Sequence, residues 1–243
     1  MQRFALRQVA LAGLALFLLG LLARTAWTGR PAAAAMQAQL NDSGRYLKGV
    51  VVIVDPGHGG DDPGAVVGQT LEKHIVLDIA QSLKELLEQH GARVVLTRDS
   101  DRSLGGPIRE DLGRRVAMVK DHKAAVYVSI HANKDSCNCW GAQTFYQKKG
   151  MPAGKDLAEA IQTQLRRLTP TTRVALAADY FVLRTSPVPA AMVEVGFLTN
   201  AKEKAQLQDP AYQRTVATAV ALGLADFFKR QVPQADAGGF IGQ

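Results

Sequence analysis

The sequence contains little cysteine, with two residues of this type in a chain of 243. Two thiols are too few for a disulfide scaffold and too few for a structural zinc site made of cysteine alone. No internal repeat is found, and a hydrophobic fraction of 47% with a charged fraction of 21% excludes disorder, collagen and a pure coiled coil. The length suits one large domain or two small ones, with enough chain to bury a core.

Acidic residues are absent from the first 35 positions, which carry four arginines and therefore +4 of the formal net charge of +7. An uncharged run of 15 residues, Val9–Ala23, is shorter than the roughly 20 residues of a membrane-spanning helix. Together with the small residues at 32–35, it predicts that residues 1–35 are a secretory signal peptide or an N-terminal membrane anchor, with cleavage left open. The net charge of +3 left on residues 36–243 is too small to indicate binding of nucleic acid, so no nucleic-acid partner is expected.

Strands and helices alternate along the rest of the chain, after a polar linker at 36–48. This alternation predicts one α/β domain over residues 49–230, with a mostly parallel twisted sheet flanked by helices, and a flexible tail at 231–243. The predicted strands lie at 49–54, 92–97, 124–130, 142–146 and 190–195, with an extended stretch at 180–183. The predicted helices lie at 72–90, 109–121, 154–168 and 211–229.

Four residues that can bind a metal or act in catalysis fall where ligands bind in open α/β sheets, beyond the carboxyl ends of the strands. His58 follows the first strand, Glu72 opens the next helix, His131 follows the third strand, and Glu194 interrupts an apolar run. Ordinary structural alternatives exist: His58 could simply lie in a turn, Glu72 could favour the helix dipole, and His131 could be a boundary residue. Two histidines and a carboxylate form a recurring catalytic zinc set, and a second carboxylate can take a proton from the metal-bound water. The sequence supplies both carboxylates, and Glu194, in its apolar run, would be costly to bury unless it is paired or protonated.

The motifs around these residues occur in the order of a known family. VDPGHGG at 54–60, then Glu72, then SIHAN at 129–133 and VEVGFLTN at 193–200 resemble the zinc-dependent N-acetylmuramoyl-L-alanine amidases, called amidase type 3. The resemblance covers about residues 49–229. Within the family, the short segments GAQTFY and YFVLR resemble the germination-associated spore cortex amidases of endospore-forming bacteria.

The resemblance implies a site and a reaction. His58, Glu72 and His131 would bind Zn²⁺, Glu194 would be the catalytic carboxylate, and peptidoglycan would be cut between muramic acid and L-alanine. Zinc lowers the pKa of its bound water from 15.7 to about 7. The carboxylate would accept a proton as this water attacks, and it could return a proton to the leaving amine.

Two further residues are plausible substrate contacts, Asn133 and Arg184. The alternatives are a loop-capping amide for Asn133 and a solvated surface charge for Arg184. Cys137 and Cys139 are expected to be incidental residues of a rim loop, because a bridge between residues two apart is strained.

The resemblance also implies a compartment and partners. An exported, extracytoplasmic amidase of the cortex type would act in spore cortex maturation or in germination, beginning muramic-δ-lactam formation together with a separate deacetylase. Some members need a regulatory lipoprotein partner. No plug helix is expected between His131 and Glu194, and no wall-binding repeats flank the domain.

Other functions remain to be weighed. A vegetative autolysin of the same family would carry the same motifs. An inactive wall-binding relative would lack a ligand or the catalytic carboxylate, and all four residues are present. A zinc peptidase or sugar deacetylase would need H-E-x-x-H, or an aspartate with H-x-x-x-H, and neither histidine pattern occurs.

Overall fold

The computed structural model describes residues 35–137 and 139–232. The predicted leader, except its last residue, and residues 233–243 of the predicted tail lie outside this part of the chain. The chain divides into two units at Asp42/Ser43. Residues 35–43 are helical (α1). Across the described ranges, no helix combines the length and the apolar composition needed to cross a membrane.

The second unit contains a six-stranded sheet, a two-stranded hairpin and helices in alternation. Along the chain, the strands are β1 Val51–Pro56, β2 Val66–Val67, β3 Thr70–Leu71, β4 Arg93–Leu96, β5 Val126–Asn133, β6 Gln143–Gln147, β7 Leu176–Ala178 and β8 Ala190–Phe197. The helices are α2 Glu72–Gln89, α3 Ile108–Asp121, α4 Pro152–Leu168, α5 Phe181–Thr185, α6 Ala201–Leu207 and α7 Pro210–Gln231. The order in the large sheet is β4-β1-β5-β8-β6-β7, and β6 runs antiparallel to β8. The predicted α/β domain with a mostly parallel sheet is confirmed.

The side chains on the two faces of the sheet pack against different helices. Residues in register form rows across β1, β5 and β8, one of which joins Ile53, Tyr127 and Ala190. This face packs against α3 and α5, while the valines between these positions lie on the opposite face, where α2 and α4 pack against the strands. Because side chains alternate between faces, Asp55 and Ser129, two positions further along β1 and β5, point to the α3 side at the carboxyl edge, as does Glu194, four positions further along β8.

Three local predictions are wrong. The extended stretch at 180–183 is a short helix, α5, and only Tyr180 before it is extended. His131 lies within β5 and not in a loop after it, because parallel pairing with β8 continues as far as Asn133. Cys137 and Cys139 form a disulfide, and their Cα atoms, 5.1 Å apart, are at a separation that a bridge can span.

The segment predicted as a linker, 36–48, contains regular structure. Beyond the helical residues of α1 it includes a 3-10 helix, Gly44–Leu47. Leu47 is buried, and the 3-10 helix packs against α7. The mostly polar composition of the segment did not indicate that Leu47, and also Leu40, would be buried.

Candidate metal centre

Three side chains from three separate segments meet at the carboxyl edge of the sheet. Glu72 Oε1 lies 3.2 Å from His58 Nε2 and 3.0 Å from His131 Nδ1. The two imidazole rings are nearly perpendicular, with their centroids 4.9 Å apart. One donor atom from each residue lies within 4.8 Å of the others. The structure therefore brings together the three residues for which the sequence predicts metal binding.

The local backbone positions the side chains of His58 and Glu72. His58 has φ +61°, a left-handed conformation that is uncommon for a residue with a Cβ atom. Glu72 is the first residue of α2, and its carboxylate accepts from the backbone N–H groups of Ala65 and Ala132, each at 2.8 Å. Both oxygens of Glu72 are thus oriented by main-chain donors.

Two glycines leave the room that the cluster needs. A Cβ atom on Gly57 would lie 2.2 Å from the ring of His131. A Cβ atom on Gly64 would lie 2.6 Å from both Glu72 Oε2 and the ring of His58. Any side chain at either position would displace a member of the cluster.

Asp62 is a partner of the site that the sequence analysis missed. Its Oδ2 lies 2.7 Å from His58 Nδ1, leaving Nε2 of the same ring to face Glu72. A carboxylate on the outer nitrogen of a metal-binding histidine fixes the ring and its tautomer. The spacing of four residues from His58 was the available signal.

The histidines and carboxylates of the cluster shift one another's pKa values. Burial alone would lower the pKa of His58, but the bonds and charges of Glu72 and then of Asp62 raise this pKa to about 9. Burial alone would raise the pKa of Glu72, but hydrogen bonds with His131 and His58 hold it well below its usual range. The glutamate is therefore a carboxylate, the form in which it can hold a cation.

Glu194 lies beside this cluster on the neighbouring strand. It pairs in register with His131, so both side chains project from the same face of the sheet. Its Oε2 is buried and has no hydrogen-bond partner among the described residues. Burial raises the pKa of the carboxyl to about 7, close to the value that suits a proton-transfer group at neutral pH.

A cavity of about 480 Å³ opens in front of these residues. His58, His131 and Glu194 are among its polar lining residues, and Tyr180 and Phe181 contribute apolar surface. The apolar wall comes from α5, which the sequence analysis predicted as extended chain. The site thus offers polar groups on one side of a bound molecule and aromatic surface on another.

The two predicted substrate contacts lie elsewhere. Arg184 forms an ion pair with Asp179 at 2.6 Å and lines a different cavity, of about 420 Å³. Asn133 is half-buried at the end of β5, where its backbone carbonyl accepts from Leu198. Neither residue is among those lining the cavity at Glu194.

The fold and this donor set define a class: an α/β domain with a His/Glu/His group that could hold one metal ion, next to a further carboxylate. Residues 52–226 match the family described as N-acetylmuramoyl-L-alanine amidase. The chain belongs to this family, and the match confirms the predicted activity, a hydrolase that acts on peptidoglycan of the cell wall.

Similar proteins agree with this assignment. The germination-specific N-acetylmuramoyl-L-alanine amidase of Bacillus subtilis (strain 168) is 39% identical over 193 residues, which are 75% of this chain and 81% of that protein. The CwlD amidase of Clostridioides difficile, solved in complex with the GerS lipoprotein, is 35% identical with a TM-score of 0.71, over 74% of this chain and 99% of that one. The catalytic domain of CwlV from Bacillus (Paenibacillus) polymyxa is 35% identical with a TM-score of 0.68, over 74% and 98%.

Proposed function

We propose that the protein holds Zn²⁺ at His58, Glu72 and His131 and uses Glu194 to move the protons of amide hydrolysis. The bond cut is the amide between muramic acid and L-alanine. The observation that carries the proposal is the cluster of donor atoms from His58, Glu72 and His131 beside Glu194, at a cavity that both histidines and Glu194 line.

The donor set fits zinc. Two imidazole nitrogens and one carboxylate oxygen are the ligands of many catalytic zinc sites, which keep a fourth position open. Ligands at 2.0–2.2 Å around a tetrahedral zinc stand roughly 3.3–3.6 Å from each other. The donor atoms of Glu72 and the two histidines are already 3.0 and 3.2 Å apart. When bound, the metal supplies a water of lowered pKa and positive charge for the developing oxyanion.

The remaining chemistry belongs to the side chains. Glu194 accepts the proton of the attacking water at its unpartnered Oε2 and can return it to the departing amine of L-alanine. Tyr180 and Phe181 cover apolar parts of the substrate and reduce access of bulk water. Asp62 keeps His58 in the tautomer that presents Nε2.

Metal analysis combined with a wall-digestion assay tests this proposal. The purified protein should retain about one zinc per chain, and His131→Ala should lose most of it. Glu194→Ala should keep the metal and lose hydrolysis by roughly 10²–10⁴-fold, the usual size of a proton-transfer contribution. A metal-free protein with full activity would contradict the assignment.

We also propose an exported enzyme of the spore cortex. Residues 1–35 would direct export, with or without cleavage, to the cell wall or the space between the forespore membranes. There the amidase would begin muramic-δ-lactam formation with a separate deacetylase, or act in germination. The name of the Bacillus subtilis relative supports the germination role, and the Clostridioides difficile complex supports a lipoprotein partner.

The alternative is a vegetative autolysin, since LytC of Bacillus subtilis (strain 168) is 34% identical over 74% of this chain and 36% of its own length. Digestion of vegetative peptidoglycan and of cortex from spores that lack the amidase, side by side, separates the two. The cortex proposal predicts faster release of stem peptides from cortex material, and equal or faster release from the vegetative wall contradicts it.

A further inference from the structure

Directly behind His58 lies a buried arginine that the sequence analysis did not single out. Arg115 of α3 is 2% exposed, and Asp55, its partner at the end of β1, is 1% exposed. The Nη1 of Arg115 donates to Asp55 Oδ1 and to the Pro56 carbonyl, both at 2.9 Å. Its Nη2 donates to the carbonyl of His58 at 2.7 Å, and its Nε donates to Asp111.

A second buried arginine holds the same loop from the other side. Arg98 is fully buried, and its Nε donates to the carbonyl of Pro56 at 3.0 Å. Its Nη2 donates to the carbonyl of Gly57 at 2.8 Å and to that of Lys73 on α2 at 2.7 Å. Three consecutive carbonyls, at residues 56, 57 and 58, therefore accept hydrogen bonds from two buried guanidinium groups.

Stability alone is a weak explanation for this arrangement. Buried ion pairs commonly contribute no more to stability than well-packed apolar side chains of the same size. What the two arginines do share is the loop that they contact, in which His58 adopts a left-handed backbone conformation. Arg98 also ties this loop to the first turn of α2, the helix that begins with Glu72.

We propose that Arg115, assisted by Arg98, is a positioning residue for the metal ligand His58. The two guanidinium groups fix the loop at 56–58 so that the imidazole meets Glu72 and His131 before a metal arrives. Asp55 balances the charge of Arg115. The inference rests on the proposed zinc site, and it assigns a role in metal affinity to Arg115, which lines the cavity at Glu194 but is 2% exposed.

The test compares zinc affinity with stability in the full-length chain. Arg115→Lys keeps the positive charge, but an ammonium lacks the planar fork that reaches Asp55 and two carbonyls together. Arg98→Lys leaves the Arg115–Asp55 pair in place and gives a second reading if the first variant folds poorly. Gln162→Met is the matched control, because Gln162 is a buried helical side chain that also holds two backbone carbonyls, but it packs on the opposite face of the sheet.

Zinc dissociation constants come from competition with a chelator, and the visible spectrum of the Co²⁺-substituted protein reports ligand geometry. We expect both lysine variants to bind zinc about 10–100-fold more weakly, the usual effect of losing a residue that supports a metal ligand, and to alter the Co²⁺ spectrum. Gln162→Met should lower the urea midpoint of the metal-free protein and leave zinc affinity within twofold.

Each other outcome has a distinct meaning. Unchanged zinc affinity in the lysine variants, with a lowered urea midpoint or a raised KM, would overturn the positioning role while leaving the zinc site intact. Full zinc affinity in Arg115→Lys alone would reduce the role of Arg115 to its charge and would likewise overturn it. Absence of zinc binding by the unaltered protein would overturn the proposed function and this inference together.

Discussion

Replacing Glu194 with glutamine should make the metal-free protein more stable at neutral pH while removing its activity. The carboxyl has an ordinary pKa of 4.5, and burial raises it to about 7 in the folded chain. At pH values between these two pKa values, Glu194 therefore takes up a proton when the chain folds. The contribution of Glu194 to the free energy of unfolding falls as the pH rises through this window and levels off above it.

The magnitude follows from the size of the shift. At about 1.4 kcal/mol for each pKa unit, ionising Glu194 in the folded state costs about 3 kcal/mol above pH 7. Glutamine has nearly the same shape and cannot ionise, so Glu194→Gln avoids this cost. The two proteins should differ little at pH 4.5, and the variant should be about 3 kcal/mol more stable at pH 8.

Urea unfolding followed by circular dichroism measures the effect, with a chelator present and at several pH values between 4.5 and 8. Glu159→Gln serves as the control, because Glu159 is an exposed carboxylate on α4 in a loose pair with Lys155; such pairs contribute little. Stability curves for Glu194→Gln and the unaltered protein that run parallel over the whole range would refute the reasoning.

Three further predictions follow from the site. Gly64→Ala should weaken zinc binding at least tenfold, because the added Cβ would meet Glu72 and His58, whereas Gly68→Ala, at nearly the same φ but with open space around it, should leave the affinity unchanged; chelator competition distinguishes the two variants. Zinc at 100 times its dissociation constant should stabilise the protein by about 2.7 kcal/mol, measured by urea unfolding, and a chelator should reverse the gain. Phe181→Ala should raise KM more than it lowers kcat, because its ring lines the cavity and carries no group that can transfer a proton; a selective loss of kcat would contradict this.

The sequence predicted the features that depend on local patterns. Continuous β-branched runs identified the central parallel strands, and a helical period identified α2. The rule that ligands bind beyond the carboxyl ends of strands then predicted that His58, His131 and Glu194 lie at one edge of the sheet. The pleat explains why this worked, because His131 and Glu194 are in register on adjacent strands and share a face.

Features set by tertiary contacts escaped prediction. The five residues of α5 carry no helical period of their own, and the helix is stabilised by packing of Val182 and Leu183 into the core under α3. Arg115 occupies a polar position of an amphipathic helix, where sequence alone indicates solvent. Its burial depends on Asp55, which is 60 residues away along the chain.

Identifying the new chain ends released from purified peptidoglycan tests the central claim most directly. The zinc-loaded protein is incubated with intact wall, and the products are labelled at free amino groups and examined by mass spectrometry. The account predicts new amino-terminal L-alanine on released stem peptides, glycan strands with free lactyl carboxyl groups, and neither product from Glu194→Ala. New reducing sugar ends, or cleavage within the stem peptide, would contradict the account.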